Sequence, residues 1–210
     1  GYAISSLILI GIFLVTLVVQ LSAKAYHPLL YWLVILSTST AGTTMSDYMD
    51  RTLHLGYAAG STLLLTILIT VLATWRLVTG SLSVDHISSF RVELFYWTAI
   101  LFSNTLGTAL GDFLSDSSGL GFGGSALLIG SILAVIVLAH FFTPIPKTVL
   151  FWIAFVLTRP FGATAGDLMT KTRDQGGLGF GTIGSSLVLA SLLLALIFFT
   201  ARKHAAKKAA

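Results

Sequence analysis

Long apolar runs alternate with short polar segments along the whole chain. A helix that spans a membrane needs about 20 apolar residues. Seven runs approach this length: 3–23, 28–46, 57–75, 93–112, 122–142, 147–168 and 180–201. None of them shows the strict alternation of a membrane β-strand. The pattern therefore predicts an all-α polytopic membrane protein with seven transmembrane helices in this chain.

An internal repeat runs through these helices. Three runs open with an aromatic residue and a tryptophan, at Trp32, Trp97 and Trp152. Ten residues after each tryptophan stands a glycine, and five residues later an aspartate: Gly42 and Asp47, Gly107 and Asp112, Gly162 and Asp167. A glycine–aromatic pair then opens a partner helix: Gly56-Tyr57, Gly121-Phe122 and Gly179-Phe180. The spacing predicts helical hairpins that repeat in parallel around a pseudo-symmetry axis.

The repeat positions also define the units of the chain. Residues 1–25 match the second half of a first repeat, so we expect a preceding helix and eight helices in the complete protein. The second repeat covers 26–80, the third with its connector 81–143, and the fourth 144–204. Residues 205–210 are a low-complexity tail of the kind that cloning introduces.

These motifs resemble a bacterial family. The resemblance is carried by FYWTAILFSNTLGTALGDFL with GLGFGGSAL, and by FWIAFVLTRPFGATAGDL with RDQGGLGFGT. In these stretches the chain is similar to bacterial integral membrane proteins that are built from a short transmembrane repeat of unknown function, described as uncharacterised membrane-anchored proteins. The resemblance implies four repeats and no established activity, so the function has to be argued from the residues.

Composition and charge agree with a location in a bilayer. Charged residues make up 10% of the chain, against roughly 25% in a soluble domain. Eight lysines and arginines fall in loops on one side of the predicted membrane and three on the other. The positive-inside rule then predicts a bacterial cytoplasmic membrane protein with a cytoplasmic C-terminus. The net charge of +4 needs no nucleic-acid partner, and the lack of cysteine excludes thiolate metal sites.

Small residues four apart end each first helix of a repeat. The pairs are Gly42 with Ser46, Gly107 with Gly111, and Gly162 with Gly166. In lipid, such pairs allow two helix backbones to approach closely. We therefore expect the three helices to pack against one another through these six residues.

A polar residue stands seven positions after each tryptophan, at Ser39, Asn104 and Arg159. Each lies three residues before a packing glycine, and thus within roughly 60° of it around the helix. The three side chains are expected to face protein or a water-filled cavity. An unpaired charge at this depth costs at least a few kcal/mol. We therefore expect Arg159 to meet an acid or several backbone carbonyls, with Pro160 kinking the helix beside it.

Asp47, Asp112 and Asp167 are expected to lie at equivalent heights near the axis, on the side opposite the C-terminus. With the tryptophans marking the cytoplasmic interface, the aspartates fall near the outer surface of the membrane. Their mutual repulsion requires a bound cation, shared protons or a base, unless each aspartate only shapes its own loop. Oxygen ligands suit hard cations, so the three are candidate metal ligands and a bound cation is the one candidate cofactor.

Three functions stay open on this basis. A transporter or channel for a small ion or solute is favoured, and the carboxylates favour a cation, including a divalent metal, although Arg159 would suit an anion. A structural or sensory subunit that transports nothing is the alternative. A membrane enzyme is the least favoured, because no nucleophile–base pair is visible, and we expect no enzymatic activity. The expected partners are the lipid bilayer and the small ion or solute, with the oligomeric state left open.

Overall fold

The computed structural model describes residues 2–23, 27–84, 87 and 89–209, and is helical throughout its regular structure. The helices are α1 (Tyr2–Ser22), α2 (Pro28–Asp47), α3 (Tyr57–Thr79), α4 (Phe90–Asp112), α5 (Gly121–Phe142), α6 (Lys147–Thr170) and α7 (Gly181–Ala209). The predicted all-helical fold and its repeated helical arrangement are thus confirmed. Of the basic residues that orient the chain, Lys24 and the side chains of Arg202, Lys203, Lys207 and Lys208 lie outside the described part.

Several helices have the length and composition of membrane spans. Among the described residues, four are long and apolar enough to cross a bilayer: Ala3–Ser22 in α1, and the whole of α3, α5 and α6. The apolar part of α7, Gly181–Ala195, is shorter. The helices α2 and α4 carry more polar side chains, and these are the side chains that build the site described below.

The chain divides into two compact units, Gly1–Thr164 and Ala165–Ala210. In the first unit, α4 packs against both α2 and α3, and α1 packs against α2. More residues are buried in α4 than in any other helix of this unit, including Ile100 and Leu106. The first helix of the third repeat is therefore an inner helix, as the glycine pattern predicted.

Tryptophans close one end of the first unit, which we call the tryptophan end. Trp97 is 1% exposed and its Nε1 donates to Glu93 Oε1 over 3.3 Å. Trp152 is 4% exposed and its Nε1 donates to the carbonyl oxygen of Leu82 over 3.1 Å. Trp32, by contrast, is 64% exposed. Trp97 and Trp152 are thus buried in the protein, where Trp97 bonds to a residue of its own helix and Trp152 ties α6 to the connector that follows α3.

At the opposite end, α2 and α4 continue into π-helical turns, at Tyr48–Thr52 and Phe113–Ser117. The two turns occupy equivalent positions in their repeats and follow the aspartates directly. Such turns are frequent at functional sites. Gly56, with a φ of 74°, then lets the chain enter α3, because side chains rarely tolerate this backbone conformation.

The second unit contains the end of α6, a 3₁₀ turn at Arg173–Gln175, and α7. The loop between α6 and α7 folds back on α6. The backbone N–H of Leu178 in this loop donates to the carbonyl oxygen of Leu168 over 2.7 Å. Asp167 belongs to this unit.

Candidate functional site

The structure brings the three polar positions of the repeats together in the first unit. Arg159 Nη1 donates to Ser39 Oγ over 2.9 Å, which joins α6 to α2. Asn104 Nδ2 donates to Thr38 Oγ1 over 3.1 Å, which joins α4 to α2. All three side chains thus take part in hydrogen bonds between helices.

Packing glycines position these side chains. A Cβ added at Gly42 would lie 3.0 Å from both Asn104 Cβ and the backbone nitrogen of Thr105, so α2 and α4 touch at the backbone. A Cβ added at Gly107 would overlap Arg159 Cβ. In each contact the glycine of one repeat receives the polar residue of the next repeat.

The small residues that stand four positions after these two glycines are also buried or in close contact with a neighbouring helix. A Cβ added at Gly111 would lie 3.1 Å from Ala163 Cβ, so α4 and α6 stay close for another turn. Ser46, the corresponding residue of α2, is buried.

The packing prediction is wrong for Gly162 within the first unit, whereas for Gly166, which belongs to the second unit, it stays a prediction. A Cβ added at Gly162 would meet nothing within 4 Å, and Gly166 has equally open space within its own unit. The two packing glycines each receive the polar residue of the following repeat, and the described residues place no such side chain against Gly162.

Arg159 has a hydroxyl partner instead of an acid. Within the described residues of the first unit, no carboxylate lies within ion-pair distance of its guanidinium, so the expected acidic partner is wrong there. The helix α6 runs through Pro160 without interruption, and Pro160 is buried. Beside it, Asn104 is only 3% exposed, and its Oδ1 has no hydrogen-bond partner among the described residues.

A second level of polar side chains escaped the sequence reasoning. Thr43 and Thr108 stand eleven residues after Trp32 and Trp97, and their Oγ1 atoms lie 3.4 Å apart. They lie one helical turn beyond Ser39 and Asn104, towards the aspartates. Counting one more position from the tryptophans would have found them, although the corresponding residue of α6 is Ala163.

Two of the predicted aspartates converge, with an arginine between them. Arg51 Nε lies 3.2 Å from Asp47 Oδ1, and Arg51 Nη2 lies 3.8 Å from Asp112 Oδ2. The described residues contain no group of three acidic, histidine or cysteine side chains that could hold a metal. Two of the three predicted cation ligands, Asp47 and Asp112, flank Arg51, and Asp167 belongs to the second unit. The cation site that would join all three aspartates stays a prediction.

Asp50, in the first π-helical turn, is a buried carboxylate with 7% exposure. Its Oδ2 accepts a hydrogen bond from Ser46 Oγ over 3.3 Å, and its Oδ1 lies against Gly60 of α3, where a Cβ would collide with it. Burial raises the pKa of Asp50 above its ordinary 3.8, and the charge of Asp47 raises it further, while the Ser46 hydrogen bond and Arg51 oppose the shift.

Together these side chains form a continuous strip, which we call the polar lane. It has three tiers of repeat-equivalent residues: Ser39 and Asn104 with Arg159, then Thr43 with Thr108, then Asp47 with Asp112 and the bridging Arg51. Successive tiers are four residues apart, so each helix contributes one face. The lane spans about 12 Å along the helices. It offers hydrogen-bonding groups throughout. The tier of Arg159, which lies farthest from the aspartates and is called the deepest tier below, also carries a positive charge.

Comparison with known families agrees with the repeat. A family model described as Repeat of Unknown Function (DUF347) matches residues 30–81, 95–145 and 150–205. These stretches coincide with the second, third and fourth repeats inferred from the tryptophan spacing. No curated protein and no solved structure matches the chain.

Proposed function

We propose that this chain, which belongs to the DUF347 repeat family of unknown function, carries a small ion or solute across a membrane along the polar lane. One observation carries the proposal: the three tiers are continuous from Arg159 to the Asp47–Asp112 pair. Each tier is built from repeat-equivalent residues of neighbouring helices, so the lane follows the repeat itself and is not a chance cluster.

A strip of polar side chains is significant in a protein that lies in a bilayer. Four described helices have the composition of membrane spans, and a polar or charged face at such a depth has to meet water or protein. Ser39 and Arg159 are partly exposed and Thr43 is exposed in the described chain. Water filling the space in front of the lane would satisfy these groups and supply a route for a solute.

Side chains close the lane at the tryptophan end, which supports a gated route instead of an open pore. Continuing by four residues from the deepest tier leads first to Ile35 and Ile100, and then to Tyr31 and Tyr96. The hydroxyls of the two tyrosines lie 2.9 Å apart, and Ile100 is buried. An apolar tier backed by a tyrosine pair separates the lane from this end, so passage requires these helices to move.

The orientation that we propose for the chain in the membrane follows from the charges of its loops. We place the tryptophan end and the C-terminus on the cytoplasmic side of a bacterial cytoplasmic membrane, because most loop lysines and arginines fall there. The proposal assigns no catalytic chemistry to the chain.

A structural or sensory subunit is the second candidate, and one observation favours it. The Cβ of Arg159 packs directly onto Gly107, so the arginine is also part of a helix–helix interface. In this case the lane would be covered by protein and dry.

Water access to the lane separates the two candidates, and the absence of native cysteine makes the measurement clean. Thr108→Cys and Thr43→Cys introduce single thiols into the middle tier, and Thr66→Cys places a matched thiol on an exposed turn of α3. In vesicles, we expect a water-soluble, membrane-impermeant thiol reagent to modify the first two and spare Thr66→Cys, which faces lipid. If Thr108→Cys and Thr43→Cys react no faster than Thr66→Cys, the lane is dry and transport is the wrong function.

A further inference from the structure

The deepest tier of the lane is rich in hydrogen-bond donors. A guanidinium has five N–H donors, and the described hydrogen bonds of Arg159 occupy one of them, towards Ser39. Because Ser39 Oγ accepts that bond, its own hydroxyl hydrogen is left to donate. The Asn104 amide nitrogen donates to Thr38 at the same level and carries a second N–H. Such a set complements a ligand that accepts hydrogen bonds.

The charge of this tier is unbalanced in the described first unit. Arg159 has no carboxylate within ion-pair distance there. The carboxylates of Asp47 and Asp112 stand two turns further along the lane, about 12 Å away by helical rise, and Arg51 lies between them. The deepest tier therefore holds one positive charge with no carboxylate beside it, and one negative charge would neutralise it.

A cation would be repelled by Arg159 at the deepest tier. To pass the deepest tier it would approach a guanidinium that is half-buried between helices, where repulsion between like charges is stronger than in bulk water. Rings of arginine or lysine line pores that conduct anions, whereas acidic rings line those that conduct cations.

We infer that the tier formed by Arg159, Ser39 and Asn104 binds a small monovalent anion, and that the transported solute is this anion. The claim that the anion is transported rests on the proposed transport function, whereas the claim that it binds at this tier does not. Anion binding at the tier can be measured without any flux.

Binding is tested on the full chain in detergent. Sodium gluconate is replaced stepwise by sodium chloride or sodium nitrate at constant ionic strength, and the midpoint of thermal unfolding is followed. We expect a saturable rise for the unaltered chain. Arg159→Gln should weaken the apparent affinity at least about tenfold, and Ser39→Ala about fivefold. Arg91→Gln, which alters an exposed arginine at the start of α4, should leave the affinity unchanged.

Four outcomes decide the matter when flux is measured in parallel on vesicles. Anion uptake together with a stability rise that Ser39→Ala weakens supports the inference, also if Arg159→Gln does not fold. A rise that Ser39→Ala and Arg159→Gln both leave intact places the anion elsewhere and overturns the site. No rise with either anion, combined with uptake of sodium or of a neutral solute, overturns the anion while transport stands. A rise that depends on Arg159, without any flux and with an unreactive Thr108→Cys, retains the anion site and refutes transport.

Discussion

Arg159 and Ser39 are 120 residues apart, hold the same position in two repeats, and are joined by a 2.9 Å hydrogen bond. The repeat therefore brings equivalent positions to one level, while substitution has made them chemically different: a serine, an asparagine and an arginine. A site with one charge arises from a symmetric frame because only one repeat carries the guanidinium.

The two glycines Gly107 and Gly162 should respond oppositely to the same change. Gly107→Ala forces a Cβ into Arg159, and overpacking of this kind costs roughly 1–3 kcal/mol. Gly162→Ala meets open space and should stabilise by up to about 1 kcal/mol through helix propensity. Thermal or denaturant unfolding in detergent measures both. Equal effects of the two substitutions would contradict the packing described here.

Arg51→Gln should destabilise the chain in a way that depends on salt. The substitution removes the cation between Asp47 and Asp112 and leaves their repulsion uncompensated. We expect a lower unfolding midpoint at low ionic strength, and recovery of most of the loss at about 1 M salt, where the Debye length is roughly 3 Å. Arg91→Gln is the matched control. A loss independent of salt would mean that Arg51 acts through packing.

Asp50→Asn should be more stable than the unaltered chain, by an amount that grows with pH. Because burial raises the pKa of Asp50 in the folded state above 3.8, the folded state binds its proton more tightly than the unfolded state. This contribution to stability is complete below 3.8 and is lost as the pH rises through the folded pKa.

Unfolding midpoints of the two proteins, compared from acid to neutral pH, measure this difference. Ser46→Ala, which removes the hydrogen bond that stabilises the ionised form, should enlarge it. A constant difference at all pH values would show that Asp50 is not perturbed.

Thr108→Val should reduce flux without reducing stability. The substitution keeps the shape of the side chain and removes the hydroxyl that faces Thr43 in the middle tier. Losing one hydrogen bond to a passing solute of about 1 kcal/mol corresponds to a roughly fivefold slower rate. Initial rates in vesicles and unfolding in detergent are compared with Thr66→Val on α3. Unchanged flux in Thr108→Val would remove the middle tier from the route.

Spacing along the sequence predicted much of this architecture. Counting from Trp32, Trp97 and Trp152 identified the hairpins, the packing of Gly42 and Gly107, and the inward position of Asn104. The same counting would have found Thr43 and Thr108. These successes share a cause: residues three, four and seven apart lie on one face of a helix, whatever the helix packs against.

Other features depended on which helix meets which face, and spacing does not contain that information. Arg51 lies beyond Asp47 in a π-helical turn, and the geometry of this turn is what aims the arginine at Asp112 of another repeat. The burial of Asp50 against Gly60 likewise depends on the approach of α3. The open surroundings of Gly162 could not be predicted either, since its sequence pattern matches those of Gly42 and Gly107.

The contact of Gly42 with Asn104 and that of Gly107 with Arg159 are one heterologous interface used twice. An interface that joins the front of one unit to the back of the next applies the same rotation at each step, and it either closes into a ring or continues without end. The crossing that a single glycine permits between successive helices therefore sets the rotation from one repeat to the next.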